Sequence, residues 1–180
     1  MGHGDTRSIF NAVEGNSFGI YLWTIKVGEG ELVYYVGKTN RSFSQRMREH
    51  LKEHHAGFYH VNSPTELMKG ERVSFWDGIY LRYNTPQVAE LVKIYPTISS
   101  HIIELAKTYR FFIAPLEEER RVLERIESAL AKHLYEQPGK IGGFQERGLN
   151  YRSRIASEQP GIALFNSSIK ILGLPESLEM

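Results

Sequence analysis

Six side chains of this sequence have the types and the spacing that chemistry on a phosphate ester requires. They are Tyr21, Tyr35, Lys38, Arg46, His50 and Glu127. An arginine can grip a phosphate with two N–H groups, a histidine can exchange a proton near neutral pH, and a carboxylate with several waters suits Mg²⁺. Together they could bind a phosphodiester, activate a water and hold a divalent metal ion.

Hydrolysis of a phosphodiester needs a base for the water, positive charge around the phosphorus, a stabilised leaving oxygen and correct alignment. Tyr21 is the candidate base, although an unperturbed tyrosine has a pKa of about 10, which is too high to act alone. Lys38, just beyond the second predicted strand, is expected to lower that pKa. Tyr35 is expected to shape the site by hydrogen bonding. The alternative is that both tyrosines are core aromatics of a hairpin.

The cationic and acidic groups are expected on two helices. Arg46 and His50 lie at i and i+4 and so share one helix face, for which a solvated basic face is the alternative. Glu127 lies at the edge of the apolar stripe of a later helix, where a carboxylate is costly unless it is paired. Glu127 is therefore the candidate metal ligand, with an ordinary boundary glutamate as the alternative.

Two strands joined by a tight turn must position the tyrosines. Residues 18–27 and 32–36 are rich in aromatic and β-branched residues, and the glycine-containing turn 28–30 between them predicts a hairpin. A helix is predicted from Ser42, because a hydroxyl followed three residues later by glutamine is a capping-box pattern. This helix would carry the basic pair next to the hairpin.

The other elements follow from apolar periodicity and from glycine and proline positions. We expect short strands at 73–76 and 79–81, a helix from Thr85 that ends at Pro96, another helix beyond it, and a core strand at 110–113. The acidic triplet 117–119 opens the helix of Glu127, since the macrodipole favours negative charge at that end. Glycines between 139 and 148 predict a loop.

Composition limits the class of protein. The chain has 180 residues, 41% of them hydrophobic, which suits one globular domain with a core. A net charge of +1 excludes a generic polycation, so any nucleic acid must be bound through local patches. The absence of cysteine excludes disulfides and suits a cytoplasmic protein. We see neither a membrane-spanning apolar run nor a signal peptide.

The motifs resemble the GIY-YIG endonuclease family, which is named for two tripeptides. Residues 19–21 read Gly-Ile-Tyr and residues 35–37 read Tyr-Val-Gly, each in a β-rich run. Lys38, Arg46 and His50 follow in the order of the family's lysine, arginine, and tyrosine or histidine. The resemblance implies a metal-dependent nuclease that cuts DNA phosphodiesters.

The resemblance also assigns roles to single residues. It implies that Tyr21 is the base and that Lys38 is its activator. Glu127 begins the segment ESALAK, which is similar to the family's metal-binding pattern Glu-x-x-Leu/Ala-x-Lys, and this implies a Glu127 site for Mg²⁺ or Mn²⁺. Asn150 would correspond to the asparagine that closes the family's core, across a long interval of 23 residues.

The fold implied by the resemblance is a mixed α/β domain with a small three-stranded antiparallel sheet flanked by helices. Residues 1–180 would form one such domain, with a partly helical insertion at about 60–108 and a C-terminal tail at 151–180. A compact chain with internal insertions looks most like the restriction-type members, since repair-type and homing members usually carry further DNA-binding or repair regions.

Double-stranded DNA is the expected partner, and homodimer formation is left open. Outside the six candidate residues, the basic side chains expected to contact phosphates are Arg41, Arg48, Lys52, Arg147, Arg152 and Arg154. A mixed-charge surface is the alternative for the last three. We find no helix-turn-helix, zinc finger or other separate DNA reader.

Two other functions stay open on the sequence alone. A catalytically idle domain of this fold could bind DNA or a protein, although an inactive descendant would be free to lose one of the catalytic residue types. A nuclease of this fold could instead act on RNA or on branched DNA, and nothing in the sequence separates these substrates.

Overall fold

The computed structural model describes residues 8–79, 85–146 and 149–180. Its strands are β1 (Gly19–Val27), β2 (Gly30–Thr39), β3 (Val61–Asn62), β4 (Ser74–Trp76), β5 (Arg110–Pro115), β6 (Ile162–Leu164) and β7 (Ser177–Glu179). Its helices are α1 (Phe43–His55), α2 (Pro64–Leu67), α3 (Thr85–Thr108), α4 (Arg120–Glu136) and α5 (Lys140–Phe144). A three-stranded antiparallel sheet with helices around it confirms the predicted mixed α/β fold.

The central sheet has the strand order β2-β1-β5, and both neighbours of β1 run antiparallel to it. Only Gly28 and Glu29 connect β1 to β2, which confirms the predicted hairpin. Gly28 has a φ of +59°, in the left-handed region that favours glycine. The register pairs Tyr21 with Gly37, so the two tripeptides lie side by side on neighbouring strands.

The two faces of this sheet pack against different helices. On one face, Tyr21 and Trp23 pack in a core with Phe43 and Met47 of α1. Because side chains alternate along a strand, the next residue points the other way, and Leu22 packs with α4 in a second core. The opposite faces of one hairpin therefore look onto α1 and α4.

Helix α1 begins where the sequence predicts. The Ser42 hydroxyl accepts a hydrogen bond from the backbone N–H of Gln45 at 3.2 Å, as an N-cap does. Both strand β4 and strand β5 were also predicted, but β5 is an edge strand and only partly buried. Ile79 lies outside any strand, and the rest of the strand predicted at 79–81 lies outside the described residues.

The segment predicted as an insertion contains one long helix where the sequence predicts two. Pro96 lies inside α3, which continues through it. Proline removes one backbone hydrogen bond and costs a helix interior about 3 kcal/mol. A continuous buried stripe offsets that cost, since Leu91 before the proline and Ile98 and Ile102 after it all lie in the core. Tertiary packing therefore decides that the helix continues through Pro96, and the sequence pattern around a proline does not reveal such packing.

The C-terminal part, where the sequence predicts a loop and a tail, contains a short helix and two short strands. The glycine-containing stretch after residue 139 forms the short helix α5. Strands β6 and β7 pair as a hairpin, and Ile171 forms a β-bridge with Glu31 beside β2. Among the described residues, no helix has the length and apolar character needed to cross a membrane.

Candidate active site

Close packing between the two tripeptides places the Tyr21 hydroxyl. A Cβ atom built on Gly37 would lie 2.6 Å from the Tyr21 oxygen, which is closer than real Cβ contacts allow. Any larger residue at position 37 would therefore displace the tyrosine. Gly19 has a φ of +142° and its backbone lies against that of β5, so it too is required to be glycine.

Arg46 and His50 of α1 both reach the oxygen of Tyr21. The Tyr21 hydroxyl lies 2.8 Å from His50 Nε2, and Arg46 Nε donates to the same oxygen at 3.2 Å. Tyr21 is only 1% exposed, so these contacts lie in a largely buried environment. The i, i+4 spacing on α1 thus brings the predicted basic pair to the predicted base.

Burial dominates the titration of this cluster. It raises the pKa of Tyr21, although the charge and the hydrogen bond of Arg46 oppose that rise. Burial, with the charge of Arg46, lowers the pKa of His50 to about 2. His50 is therefore neutral, and in the tautomer protonated at Nδ1 its Nε2 can accept the Tyr21 hydroxyl proton.

The structure corrects the expected pairing of Lys38 with Tyr21. Lys38 lies inside β2, not beyond it, and it follows Gly37, so its side chain leaves the opposite face of the sheet from Tyr21. Its Nζ lies 3.4 Å from Glu124 Oε1. The cation at the Tyr21 oxygen is Arg46. The sequence predicts that this strand ends at residue 36, where the apolar side chains stop, but backbone pairing with β1 continues through Lys38 to Thr39.

Glu124 is a buried carboxylate that the sequence alone did not single out. It is 5% exposed, and four cationic side chains surround it. Their distances to its oxygens are 2.9 Å from Arg120, 3.4 Å from Lys38, 3.5 Å from Arg121 and 3.9 Å from Arg152. Burial opposes its charge, but Arg120 and Lys38 hold the pKa of Glu124 below its usual range. The signal was present in the sequence, because Glu124 lies one helical turn before Glu127.

Glu127 connects the two faces of β2. Burial raises its pKa to about 7, against the charge and backbone hydrogen bonding of Lys38, while Glu124 adds to the rise. Its charge also acts on Tyr35 and couples to that of Arg46, both on the α1 side. Glu127 therefore lies beside edge strand β2, within electrostatic reach of both faces.

A divalent metal ion fits Glu127 as its single carboxylate ligand. Within residues 8–79, 85–146 and 149–180, no three histidine, aspartate or glutamate side chains come together in a group that could hold a metal. Mg²⁺ usually keeps several waters and takes one or two carboxylates together with substrate phosphates. A half-buried carboxylate whose pKa is raised lacks a full counter-charge, which a metal ion would supply.

Two tyrosines complete the α1 side and the edge of β2. The ring centroids of Tyr35 and Tyr21 lie 5.9 Å apart, and burial raises the pKa of Tyr35, which stays a neutral hydroxyl. Tyr151 donates to the Val36 carbonyl at 3.3 Å, a contact that sequence reasoning missed. Asn150, the expected core-closing residue, is exposed and forms no hydrogen bond with any residue that the structure describes.

The basic residues predicted near α1 differ in what they contact. Arg41 and Arg46 both pair with Glu49, at 2.8 Å and 3.2 Å. Arg48 lies over the ring of Phe10 at 5.6 Å, away from Arg46. Lys52 is exposed at the end of the same helix.

The second predicted basic cluster is divided. Arg152 reaches the Glu124 cluster, at 3.9 Å, and so lies on the α4 side of the site. Arg154 instead donates to the backbone oxygen of Glu158 at 3.0 Å. Arg147 lies outside the described residues.

A buried tyrosine held by an arginine and a histidine, beside a carboxylate of raised pKa, is the kind of site that handles a phosphate ester. Residues 17–101 match the family model of the GIY-YIG catalytic domain, so this part of the chain is similar to that domain. The matched residues include Tyr21, Lys38, Arg46 and His50 but end before Glu127. A catalytic domain of this family supports a nuclease-type function. Neither a curated protein nor a solved structure matches the chain.

Proposed function

We propose that the protein is a metal-dependent endonuclease that hydrolyses phosphodiester bonds of double-stranded DNA. The observation that carries the proposal is the buried Tyr21 hydroxyl, held 2.8 Å from His50 Nε2 and 3.2 Å from Arg46 Nε. This arrangement joins a candidate proton acceptor to a permanent cation at one oxygen atom. One hydrogen-bond partner satisfies a buried structural tyrosine, whereas this hydroxyl has both a histidine and an arginine.

Arg46 would bind the scissile phosphate. Its Nε is used by Tyr21 and its Nη1 by Glu49, at 3.2 Å each, so the guanidinium is fixed in position while N–H groups remain for a phosphate oxygen. A cation that is already oriented costs little reorganisation when charge develops on the phosphorane. Tyr21 would then stand next to the water that attacks.

Tyr21 would take a proton from the water as its own proton moves to His50 Nε2. In the unliganded protein the low pKa of His50 opposes that transfer, and after burial the charge of Arg46 is the next cause. A phosphate bound to Arg46 offsets this charge and so raises the proton affinity of His50. The base would therefore become effective only when substrate is in place.

Glu127 would hold Mg²⁺ or Mn²⁺, whose charge stabilises the leaving oxygen. Lys38 and Arg152, beside Glu124 on the α4 side, would bind a neighbouring phosphate of the same strand. Residues on the α1 side would thus supply the base and bind the scissile phosphate, and residues on the α4 side would bind the neighbouring DNA backbone.

We propose a restriction-type role for this nuclease, because a long segment that includes α3 lies between the helix of His50 and the helix of Glu127. Residues 1–180 would then act as a single nuclease domain in the cytoplasm, where its DNA substrate lies. Sequence preference would come from the proposed insertion at about 60–108.

The test is to incubate the protein with supercoiled plasmid and Mg²⁺ and to map the ends of the products. Discrete fragments are expected from a restriction-type enzyme, and a smear would mean cleavage without sequence preference. An RNA duplex and a four-way DNA junction serve as parallel substrates. If the plasmid stays intact while the RNA duplex or the four-way junction is cut, the substrate is that nucleic acid and not duplex DNA. Cleavage of none of the three would favour the idle binding domain.

A further inference from the structure

A cavity of about 480 Å³ opens beside the candidate active site. Its wall includes Tyr35, Arg46 and His50, so it borders the position of the scissile phosphate. Sites for small organic ligands have volumes of roughly 300–1,000 Å³. The cavity can therefore hold one nucleoside, and the proposed catalytic chemistry makes no use of that space.

Aromatic rings form the walls of this cavity. Phe58, Tyr59 and Trp23 line it together with the neutral rings of His50 and His54. The ring of Tyr59 is half-buried and lies 5.1 Å from that of His54, at an interplanar angle of 87°. Rings of this kind stack with nucleobases regardless of sequence, because every base has a π face.

The lining of the cavity also includes two polar side chains, those of the buried His54 and the partly buried Glu146. His54 is 8% exposed, and its Nδ1 has no hydrogen-bond partner among the described residues. Burial raises the pKa of Glu146, which also lines the cavity, against the charge of Arg72. A carboxylate accepts hydrogen bonds, and a neutral imidazole can donate one and accept another, as the edge of a nucleobase does. Leaving the His54 nitrogen buried without a partner costs stability.

We infer that this cavity binds one nucleobase of the cleaved strand, turned out of the helix next to the scissile phosphate. Tyr59 would stack on the base, and His54 and Glu146 would hydrogen-bond to its edge. A phosphate alone is a poor occupant, because Arg46 is the one permanent cation among the described lining residues and most of the other lining side chains are aromatic. The inference rests on the proposed nuclease function and adds a substrate preference, because an unpaired base is easier to turn out than a paired one.

The test is a series of duplexes, each lacking one base near the mapped cleavage position. We expect Tyr59→Ala to lower kcat/KM on the intact duplex by about tenfold or more, the scale of one lost stacking contact. On the duplex that lacks the bound base, wild type and Tyr59→Ala should cut equally. An equal fold loss at every abasic position, or no loss on the intact duplex, would overturn the inference.

Two further variants separate stacking from folding. Tyr59→Phe keeps the ring and should cut the intact duplex like wild type. Tyr95→Ala removes an exposed aromatic ring from α3, outside the cavity, and should leave the pattern of abasic losses unchanged. A loss in Tyr59→Phe as large as that in Tyr59→Ala would contradict stacking as the role of this ring.

A binding experiment makes the inference independent of cleavage. The four 2′-deoxynucleoside 5′-monophosphates are titrated into the protein while the ring resonances of His54 and Tyr59 are followed by NMR, with His54→Gln used for assignment. At least one nucleotide should shift both rings. If the resonances shift but the protein cuts no nucleic acid, the proposed base site stands and only the proposed nuclease function is rejected. No shift with any of the four would overturn the base site even in an active nuclease.

Discussion

The two faces of strand β2 use opposite electrostatic designs. On the α1 face, Tyr21 and the neutral His50 are buried around one cation, Arg46. On the α4 face, Lys38 belongs to a cluster of four cations around the buried Glu124. Proton transfer profits from a buried environment with few charges, whereas DNA backbone binding profits from excess positive charge. The edge strand lies between the two clusters, and the charge of Glu127 acts on both.

The largest expected effect comes from removing the group that connects the two faces. Glu127→Gln should abolish cleavage, since it removes the charge of the proposed metal ligand while its shape stays the same. DNA binding should persist, because the cations of both faces remain. Cleavage is measured with Mg²⁺ and binding with Ca²⁺ in place of Mg²⁺. Full activity of the variant in Mg²⁺ would remove Glu127 from the metal site.

Next in size is the loss of the base on the α1 face. Tyr21→Phe should lower kcat by about 10² to 10⁴, the range of general-base catalysis, with little change in stability because the ring still packs. His50→Ala should cost a similar factor, and the double variant should lose little more, since both act in one proton transfer. Additive losses in single-turnover kinetics would mean that Tyr21 and His50 act separately.

Arg46 and Arg48 provide a matched pair on one helix. Arg46→Ala should cost about 10² to 10³ in kcat, the scale of losing one transition-state donor. Arg48→Ala should cost much less, because its guanidinium lies over Phe10 and away from Tyr21. The comparison uses kcat/KM on one duplex at one salt concentration. Equal losses would show that the face of α1 is a generic basic surface.

The sequence predicted the groups of the α1 face better than those of the α4 face, and the reason is physical. Tyr21, Arg46 and His50 follow from local spacing on a hairpin and one helix, which the cap at Ser42 sets in register. The position of Lys38 depends on where β2 ends, and backbone pairing, not side-chain type, decides that.

Other features of the α4 face depend on contacts that are distant in sequence. Two of the four cations around Glu124, Lys38 and Arg152, are remote from it along the chain. Tyr151 reaches Val36 from a segment without apolar periodicity. Local pattern could indicate none of these contacts.

Substitutions of Lys38 and Glu124, the two neighbours of Glu127 on the α4 face, should shift the pH–activity profile by smaller amounts and in opposite directions. Burial raises the pKa of Glu127, the charge of Lys38 opposes this rise and Glu124 adds to it. If Glu127 must be ionised to bind metal, activity at low Mg²⁺ rises with pH through this pKa. Lys38→Ala should then move the rise to higher pH, and Glu124→Gln should move it to lower pH. Shifts in the same direction would mean that both substitutions act through folding.

The smallest effect concerns stability and follows from the raised pKa of Glu127. The folded-state pKa is about 7, against an ordinary value of 4.5, so between these values the folded state binds more protons than the unfolded state. Stability must therefore fall as pH rises through this window, and the cost is complete above about pH 7. Glu127→Gln removes the titration and should stabilise the protein by about 3 kcal/mol at pH 8, but by almost nothing at pH 4. Urea unfolding of both proteins, without divalent metal, measures the difference. A gap that stays constant between pH 4 and pH 8 would show that Glu127 is not strained by burial, and the catalytic importance of its charge would then need another explanation.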